Sequence, residues 1–367
     1  MPYPVMGSSQ DVPNAFLPEE HVTVIEVTGL FGQSTTCIVE SSQSYHDAVR
    51  ALRAKLSTTG YSFEMMPAIM CLTLVELMLP NSIVALTAHV QAIGALFRAY
   101  GPESLVSGVP HKLFLGFRPL LITEAIRSRR LTFLALPSWI TTPFSISEQT
   151  PIQDLFTHVV NLPFFLQQSD RLFELSSQTC FSDIQPALER IIEVLVCLSN
   201  WEKRSRQGPD TLFPWPTSSE LGTVMSSGYS KAPIQFSHIS VANVLTHLWA
   251  FRIVCLMEID RIVSNFPDMS QTLHETIDRV VVVENVGNEI DGLAKLICFS
   301  MDYLLRDEMK LFGPASALFP AEVAYKWFQT NKKRYQDGNK CLENIVHRLV
   351  QKGLRSASMF ICGESSR

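Results

Sequence analysis

The sequence predicts an all-α fold, a multi-helix array or bundle with a small β-hairpin near its N-terminus. Three observations lead to this prediction. Apolar residues recur at helical spacing along most of the chain after residue 44, and two short β-rich runs precede that point. Of the 367 residues, 46% are hydrophobic and 18% are charged. A chain of this size buries about three quarters of its unfolded surface, so its core needs no disulfide or metal.

Residues 1–43 are predicted as an N-terminal segment that carries the hairpin. The β-rich runs at 21–28 and 34–39 flank a turn that contains Gly29 and Gly32. An isolated hairpin is marginally stable in water, so this one has to pack against the helices. At the other end, residues 358–367 are predicted as a C-terminal tail.

Residues 44–357 are predicted as one helical domain, because apolar residues three and four positions apart form stripes. The helix predicted between Asn81 and Tyr100 ends at Gly101-Pro102. An irregular insertion at about 207–233, rich in Pro, Gly and Ser, interrupts the domain. The stripes consist of Ile83, Leu86, Val90, Ile93 and Phe97; Leu188, Ile191, Leu195 and Leu198; Val241, Val244, Leu248, Phe251, Cys255, Ile259 and Ile262; Ile290, Leu293, Ile297, Met301 and Leu304; and Leu342, Ile345 and Leu349.

Charge and motif content restrict the classes of function. The chain has 30 Lys+Arg and 35 Asp+Glu, a net charge of −5 that does not favour direct nucleic-acid binding. The basic clusters at 127–130, 203–206 and 332–334 are expected to be solvated helix ends. The eight cysteines show no CxxC spacing and the nine histidines no helical pair, so we predict no metal site and no cofactor.

The first residues show no secretory signal pattern. The most apolar stretch, residues 77–97, contains Pro80, Asn81 and His89, which is typical of a buried helix pair rather than a membrane span. We therefore expect a location in the nucleus and/or the cytoplasm, with no membrane contact.

Polar side chains inside apolar helices are the candidate site residues. His89 and His247 adjoin apolar stripes; each is either a core residue bonded to a neighbour or an acid/base or ligand-polarising group. Arg118 lies in an apolar helix and needs a carboxylate or carbonyl partner, as a structural ion pair or a ligand anchor. Glu76 and Glu258, single carboxylates in apolar helices, could be that partner.

Six segments of the helical part form an ordered series of motifs. Residues 88–104 read AHVQAIGALFRAYGPES, residues 113–118 LFLGFR and residues 129–144 RRLTFLALPSWITTPF. Residues 242–252 read ANVLTHLWAFR, residues 297–303 ICFSMDY and residues 313–324 GPASALFPAEVA. Together they resemble the fungal-specific regulatory domain that follows the zinc binuclear cluster in fungal transcription factors. The resemblance spans about 44–357 and implies a helical regulatory fold, to which effector sensing, dimerisation and activity control are attributed.

Members of that family begin with a six-cysteine zinc cluster, whereas the first cysteine of this sequence is Cys37. The leading hypothesis is therefore a transcription-regulator-like protein without a DNA-binding module of its own. It would contact a protein partner, either a second copy or a zinc-cluster paralogue, or sense an apolar small molecule, in control of a fungal metabolic pathway such as secondary metabolism. The ligand-binding candidates are His89, Arg118, Trp139, His247 and Arg252.

The alternative hypothesis is a helical enzyme of cyclase or isomerase type that acts on an apolar secondary metabolite. A large helical pocket could catalyse such a reaction by positioning the substrate next to one polarising group. The catalytic candidates are His89, His111 and His247. We favour regulation over catalysis.

Overall fold

The computed structural model describes residues 35–59, 65–78, 83–174, 181–207, 216, 221–222, 234–266, 286–330 and 332–363. These residues form helices and turns and contain no β-strand, which confirms the all-α prediction. The chain divides between Ala99 and Tyr100 into two compact units.

The first unit is built from α1 (Thr35–Thr59), α2 (Met65–Met78) and α3 (Ile83–Tyr100). The predicted stripe of α3 is buried at Leu86, Val90, Ile93 and Phe97. α3 ends as predicted, because Gly101 adopts a φ of 76°, a left-handed conformation that favours glycine.

The second strand of the predicted hairpin is wrong, because Thr35–Val39 form the first turns of α1. The β-branched residues there favour a strand only weakly, and a helix of 25 residues overrides that preference. The domain boundary predicted at residue 43 falls inside the same helix. The first predicted strand and the turn, residues 21–34, lie outside the described residues.

The second unit is an array of longer and shorter helices. Short 3-10 turns at Pro102–Leu105, Phe133–Ala135, Thr142–Phe144 and Asp307–Met309 connect some of them. The helices are α4 (Gly108–Ser128), α5 (Pro137–Thr141), α6 (Pro151–Val159), α7 (Leu162–Glu174), α8 (Phe181–Gln207), α9 (Ile239–Asn265), α10 (Val286–Leu304), α11 (Phe312–Thr330), α12 (Gln336–Gln351) and α13 (Ala357–Cys362).

α9 is the central helix of the second unit, and it packs against α6, α8, α10 and α11. All the apolar positions predicted for α9 are buried, as are those predicted for α8, α10 and α12. α9 is long and apolar enough to cross a membrane, but 72% of its apolar window is buried inside the protein. These features are typical of a core helix.

Local chemistry explains several helix ends. α5 and α6 begin with Pro137 and Pro151, whose fixed φ suits the first helical position. His238 caps α9, since its ring nitrogen accepts the main-chain N–H of Ser240 at 3.1 Å.

α13 packs against α11 and α12, so part of the predicted C-terminal tail belongs to the helical array. Most of the predicted insertion, residues 208–233, lies outside the described residues.

Candidate functional site

The structure places the sequence-predicted site residues in both units. His89 belongs to the first unit, and all others belong to the second. His111, Arg118 and Trp139 lie around one aromatic cluster. His247 lies in α9 against three phenylalanine rings. Arg252 bridges two carboxylates.

Arg118 is fully buried in α4 and joins it to α6. Its Nη1 donates to the main-chain oxygen of Gln153 at 2.8 Å and to Oε1 of the same residue at 3.0 Å. Its Nη2 donates to Oγ1 of Thr157 at 2.8 Å. Burial lowers the pKa of Arg118 to about 10, an effect that the charge of Asp154 partly opposes, so the side chain remains charged at neutral pH. The expected carbonyl partner is thus Gln153, and Arg118 is a structural tie between helices.

His111 is also held by neighbours in its own unit. Its Nδ1 lies 2.8 Å from the carbonyl oxygen of Leu105, which can only accept, so Nδ1 carries the hydrogen. Its Nε2 then accepts the hydroxyl of Ser147 at 3.2 Å. Both ring nitrogens are therefore occupied, and His111 has no free position for a substrate.

The aromatic cluster between these residues explains the position of Trp139. Its ring meets Phe133 edge-on at 4.7 Å and Phe114 at 6.2 Å between centroids. Phe114 lies 6.2 Å from Phe144, over which the guanidinium of Arg118 packs at 5.2 Å. Trp139 is thus a core residue of this cluster.

His247 lies in α9 against three phenylalanine rings. Its Nδ1 donates to the carbonyl oxygen of Asn243 at 2.8 Å, which leaves the lone pair on Nε2. Its ring stacks on Phe319 at 6.0 Å with an interplanar angle of 20° and lies near Phe156 and Phe251. Burial lowers the pKa of His247 to about 4, so the ring is neutral at neutral pH.

Arg252 ties α9 to two neighbouring helices. Its Nη1 lies 3.1 Å from Glu202 in α8, and its Nη2 lies 2.5 Å from Glu289 in α10. Both contacts are partly buried, so the guanidinium is engaged in a structural bridge and is not free to anchor a ligand.

In the first unit, α2 and α3 bring Glu76 and His89 together. The side chains are each 1% exposed, and Nδ1 of His89 lies 4.0 Å from Oε1 of Glu76. Nδ1 donates to the carbonyl oxygen of Ala85 at 2.8 Å. The hydroxyl of Tyr45, in α1, donates to Oε1 of Glu76. Burial and this hydrogen bond raise the pKa of Tyr45, so the phenol keeps its proton and remains the donor.

Two atoms of this Glu76–His89 cluster have no hydrogen-bond partner among the described residues. They are Oε2 of Glu76 and Nε2 of His89, and both are buried. Nδ1 of His89 carries the hydrogen that it donates to Ala85, and in the tautomer with hydrogen on Nδ1 the lone pair of Nε2 is an acceptor, as is Oε2 of Glu76. A buried polar atom without a partner costs about 1–3 kcal/mol. The cluster is therefore suited to a group that donates hydrogen bonds.

Sequence reasoning missed a second polar cluster, in which buried Ser169 and Glu258 meet the partly exposed Arg129, Asp170 and Arg261. Glu258 accepts from Ser169 at 2.6 Å and from Arg129 at 2.9 Å, and it lies 3.2 Å from Arg261. Arg129 also donates to Asp170 at 2.5 Å, and Arg261 donates to it at 2.8 Å. The prediction that Arg129 is a solvated helix end is wrong, and so is the assignment of Glu258 to Arg118.

The geometry of Arg129 explains that error. It caps α4 with a φ of 53°, a left-handed conformation that turns its side chain toward α7 and α9. Such a conformation is unusual for a residue with a side chain, and no local pattern announces it.

The described residues contain no group of three or more His, Cys, Asp or Glu side chains that could hold a metal ion.

Comparisons with known proteins give a relative without an assigned function. No family model matches the chain, and no solved structure matches it. An uncharacterized protein of Emericella nidulans is 28% identical over 164 residues, which cover 41% of this chain and 35% of that protein. The chain thus spans about a third of the length of that relative, and the similarity transfers no activity to it.

Proposed function

We propose that the chain is a transcription-regulator-like helical module that senses a small molecule in its first unit and acts through a protein partner. The observation that carries the proposal is the pair of buried, unpaired acceptors, Oε2 of Glu76 and Nε2 of His89. This role includes control of a fungal metabolic pathway and a location in the nucleus and/or the cytoplasm.

The chemistry of the Glu76–His89 cluster defines the molecule. The other buried residues of the two helices are largely apolar, such as Met66 in α2 and Val90 in α3. The hydroxyl of Thr73, which is also buried in α2, already donates to the carbonyl oxygen of Ile69. The two acceptors need a donor such as a hydroxyl or an ammonium group. The proposed effector is therefore a largely apolar molecule that carries a donating group.

Two further observations support a regulatory role. His89 lies in the first of the segments that resemble the fungal regulatory domain, and the relative described above is a fungal protein. In the second unit, Arg118 and Arg252 are engaged in contacts between helices. This unit accordingly supplies a rigid array for protein contacts, with a second copy or a zinc-cluster paralogue as the partner.

The experiment is native mass spectrometry of the full chain purified from a fungal host. We expect wild type to retain a small molecule and Glu76→Gln to lose it. The amide of glutamine has a single acceptor oxygen, so it cannot replace both Oε1 and Oε2 of the carboxylate. Arg252→Lys, a matched change in the second unit, should retain the molecule. Equal retention by both variants, or no bound molecule in wild type, would contradict the proposal.

A helical enzyme of cyclase or isomerase type is the second candidate, and His247 favours it. A neutral imidazole beside Phe156, Phe251 and Phe319 could accept a proton from a cationic intermediate that the rings stabilise. Turnover of the retained molecule by wild type, with loss of turnover in His247→Phe, would establish this function instead of sensing.

A further inference from the structure

Side chains of α6 and α8 form a row of neighbouring polar groups in the second unit. Sγ of Cys197 lies 3.1 Å from Nδ1 of His158, and Nε2 of His158 lies 3.7 Å from Oδ1 of Asp154. Nε1 of Trp201 donates to Oδ2 of Asp154 at 2.7 Å. We call these four residues the Cys197 cluster.

Helix geometry explains why these side chains meet. Asp154 and His158 are one turn apart on α6, and Cys197 and Trp201 are one turn apart on α8, which packs against α6. Trp201 is buried, whereas Cys197 and His158 are half-buried. Buried Trp201 thus fixes the carboxylate of Asp154 through a hydrogen bond, while the thiol of Cys197 and the imidazole of His158 are partly exposed to solvent.

The order of the groups is thiol, imidazole, carboxylate. In nucleophilic catalysis a nucleophile lies within hydrogen-bond reach of a base, which a third group orients. We propose that Cys197 is a base-assisted nucleophile that adds to α,β-unsaturated carbonyl compounds, with His158 as the proton acceptor and Asp154 as the residue that positions it.

The electrostatics of the Cys197 cluster set the resting protonation states of the thiol and the imidazole. Burial lowers the pKa of His158 despite the charge of Asp154, so the imidazole is neutral and can accept a proton at neutral pH. Burial also raises the pKa of Cys197, so the thiol is protonated and needs that base. The positive charge of Arg204, two turns further along α8, opposes this shift at Cys197 and favours the thiolate as it forms.

The addition balances with these groups alone. Nδ1 of His158 takes the proton of the thiol while the sulfur forms a bond to the β-carbon of the conjugated carbonyl. The π electrons of the C=C bond move to the carbonyl oxygen as an enolate, and the α-carbon then takes the proton from Nδ1. The product is a saturated thioether, nothing leaves, and the imidazole is regenerated. Acyl transfer would in addition need a leaving group and an activated water, so addition is the reaction that the cluster supports.

The test is alkylation of the full chain by acrylamide, an α,β-unsaturated amide, followed by peptide mass spectrometry that resolves each cysteine. Cys71, an exposed cysteine of the first unit, is the internal control. We expect the Cys197 rate to rise below pH 7 and then level as His158 finishes its titration. The Cys71 rate should keep increasing with pH, because its thiol reacts only as the thiolate.

Variants separate a base from a packing residue. His158→Gln should slow Cys197 at pH 7 by about tenfold or more and leave Cys71 unchanged. His347→Gln, at an exposed histidine of α12, should change neither rate. Asp154→Asn should slow Cys197 and move the midpoint of its pH profile to lower pH, because the carboxylate raises the pKa of His158. A merely structural role for Asp154 would not move that midpoint.

Matching pH profiles for Cys197 and Cys71, or an unchanged Cys197 rate in His158→Gln, would overturn the proposal. Circular dichroism checks that each variant is folded, and the midpoint shift in Asp154→Asn decides the question if His158→Gln does not fold. Since these residues belong to the second unit, a negative result would leave the proposal for the Glu76–His89 cluster untouched.

Discussion

Glu76 in α2 and Glu258 in α9 are both carboxylates in apolar helices, and both side chains are almost completely buried. Their surroundings differ. Both oxygens of Glu258 are occupied, Oε1 by Ser169 and Arg261 and Oε2 by Arg129. Only Oε1 of Glu76 accepts a hydrogen bond, from Tyr45, and its Oε2 has no partner among the described residues.

The comparison shows how one sequence pattern can lead to two different roles. A buried carboxylate that is surrounded by donors connects helices and is costly to disturb. A buried carboxylate with an unpaired oxygen, next to a histidine with an unpaired nitrogen, has capacity for an additional partner. The difference gives Glu258 a structural role and supports the proposed role of Glu76 in recognition.

The largest expected effect comes from breaking the structural cluster. Glu258→Gln removes the buried charge that faces Arg129 and Arg261, which both keep Asp170 as a partner. A hydrogen bond to a charged group typically contributes about 1.5–3 kcal/mol. We expect the free energy of unfolding of the second unit to fall by that amount, as measured by denaturant titration. A loss below about 1 kcal/mol, the level of an exposed ion pair, would remove the structural side of the comparison.

The pH dependence of stability adds to the comparison, because His247 is a buried histidine in the same unit as Glu258. Its pKa is about 4 in the folded protein and 6.5 when unperturbed, so the unfolded chain binds more protons between these values. The stabilisation is present above pH 6.5 and is lost as the pH falls toward 4, a total of about 3 kcal/mol. His247→Phe should be less sensitive to pH than wild type by about this amount in denaturant titrations at pH 7 and pH 4. Equal pH dependence of the two proteins would contradict the neutral, buried state of His247.

The smallest expected effect on stability belongs to Glu76. Glu76→Gln keeps an oxygen for the hydroxyl of Tyr45 and removes a buried charge that is only partly satisfied, so we expect a change within about 1 kcal/mol. Denaturant titration of the full chain carrying either Glu76→Gln or Glu258→Gln compares the losses in free energy of unfolding that the two substitutions cause. Equal losses for both variants would show that Glu76 is also structural.

Apolar spacing, which is local information, was sufficient to predict several of the longer helices. The stripes predicted for α8, α9, α10 and α12 are all buried. The error at residues 35–39 has a local cause as well, because β-branched residues favour a strand until a longer helix incorporates them.

The partners of the polar residues could not be predicted in the same way. Arg118 binds Gln153, which is 35 positions away, and Cys197 meets His158 at a separation of 39. No periodicity relates residues so far apart, because tertiary packing decides which helix faces meet. The choice of His89 as a candidate was made from its place in an apolar helix, and its pairing with Glu76 emerges only when α2 and α3 pack.

The most direct test of the recognition role compares hydrogen exchange in the two units. Protein purified from a fungal host is measured by hydrogen–deuterium exchange before and after mild organic extraction of bound small molecules. We expect extraction to increase exchange in peptides from α2 and α3, around Glu76 and His89, and to leave peptides from α9, around Glu258, unchanged. Unchanged exchange in α2 and α3, or an equal increase in α9, would contradict the assignment of Glu76 and His89 to ligand recognition.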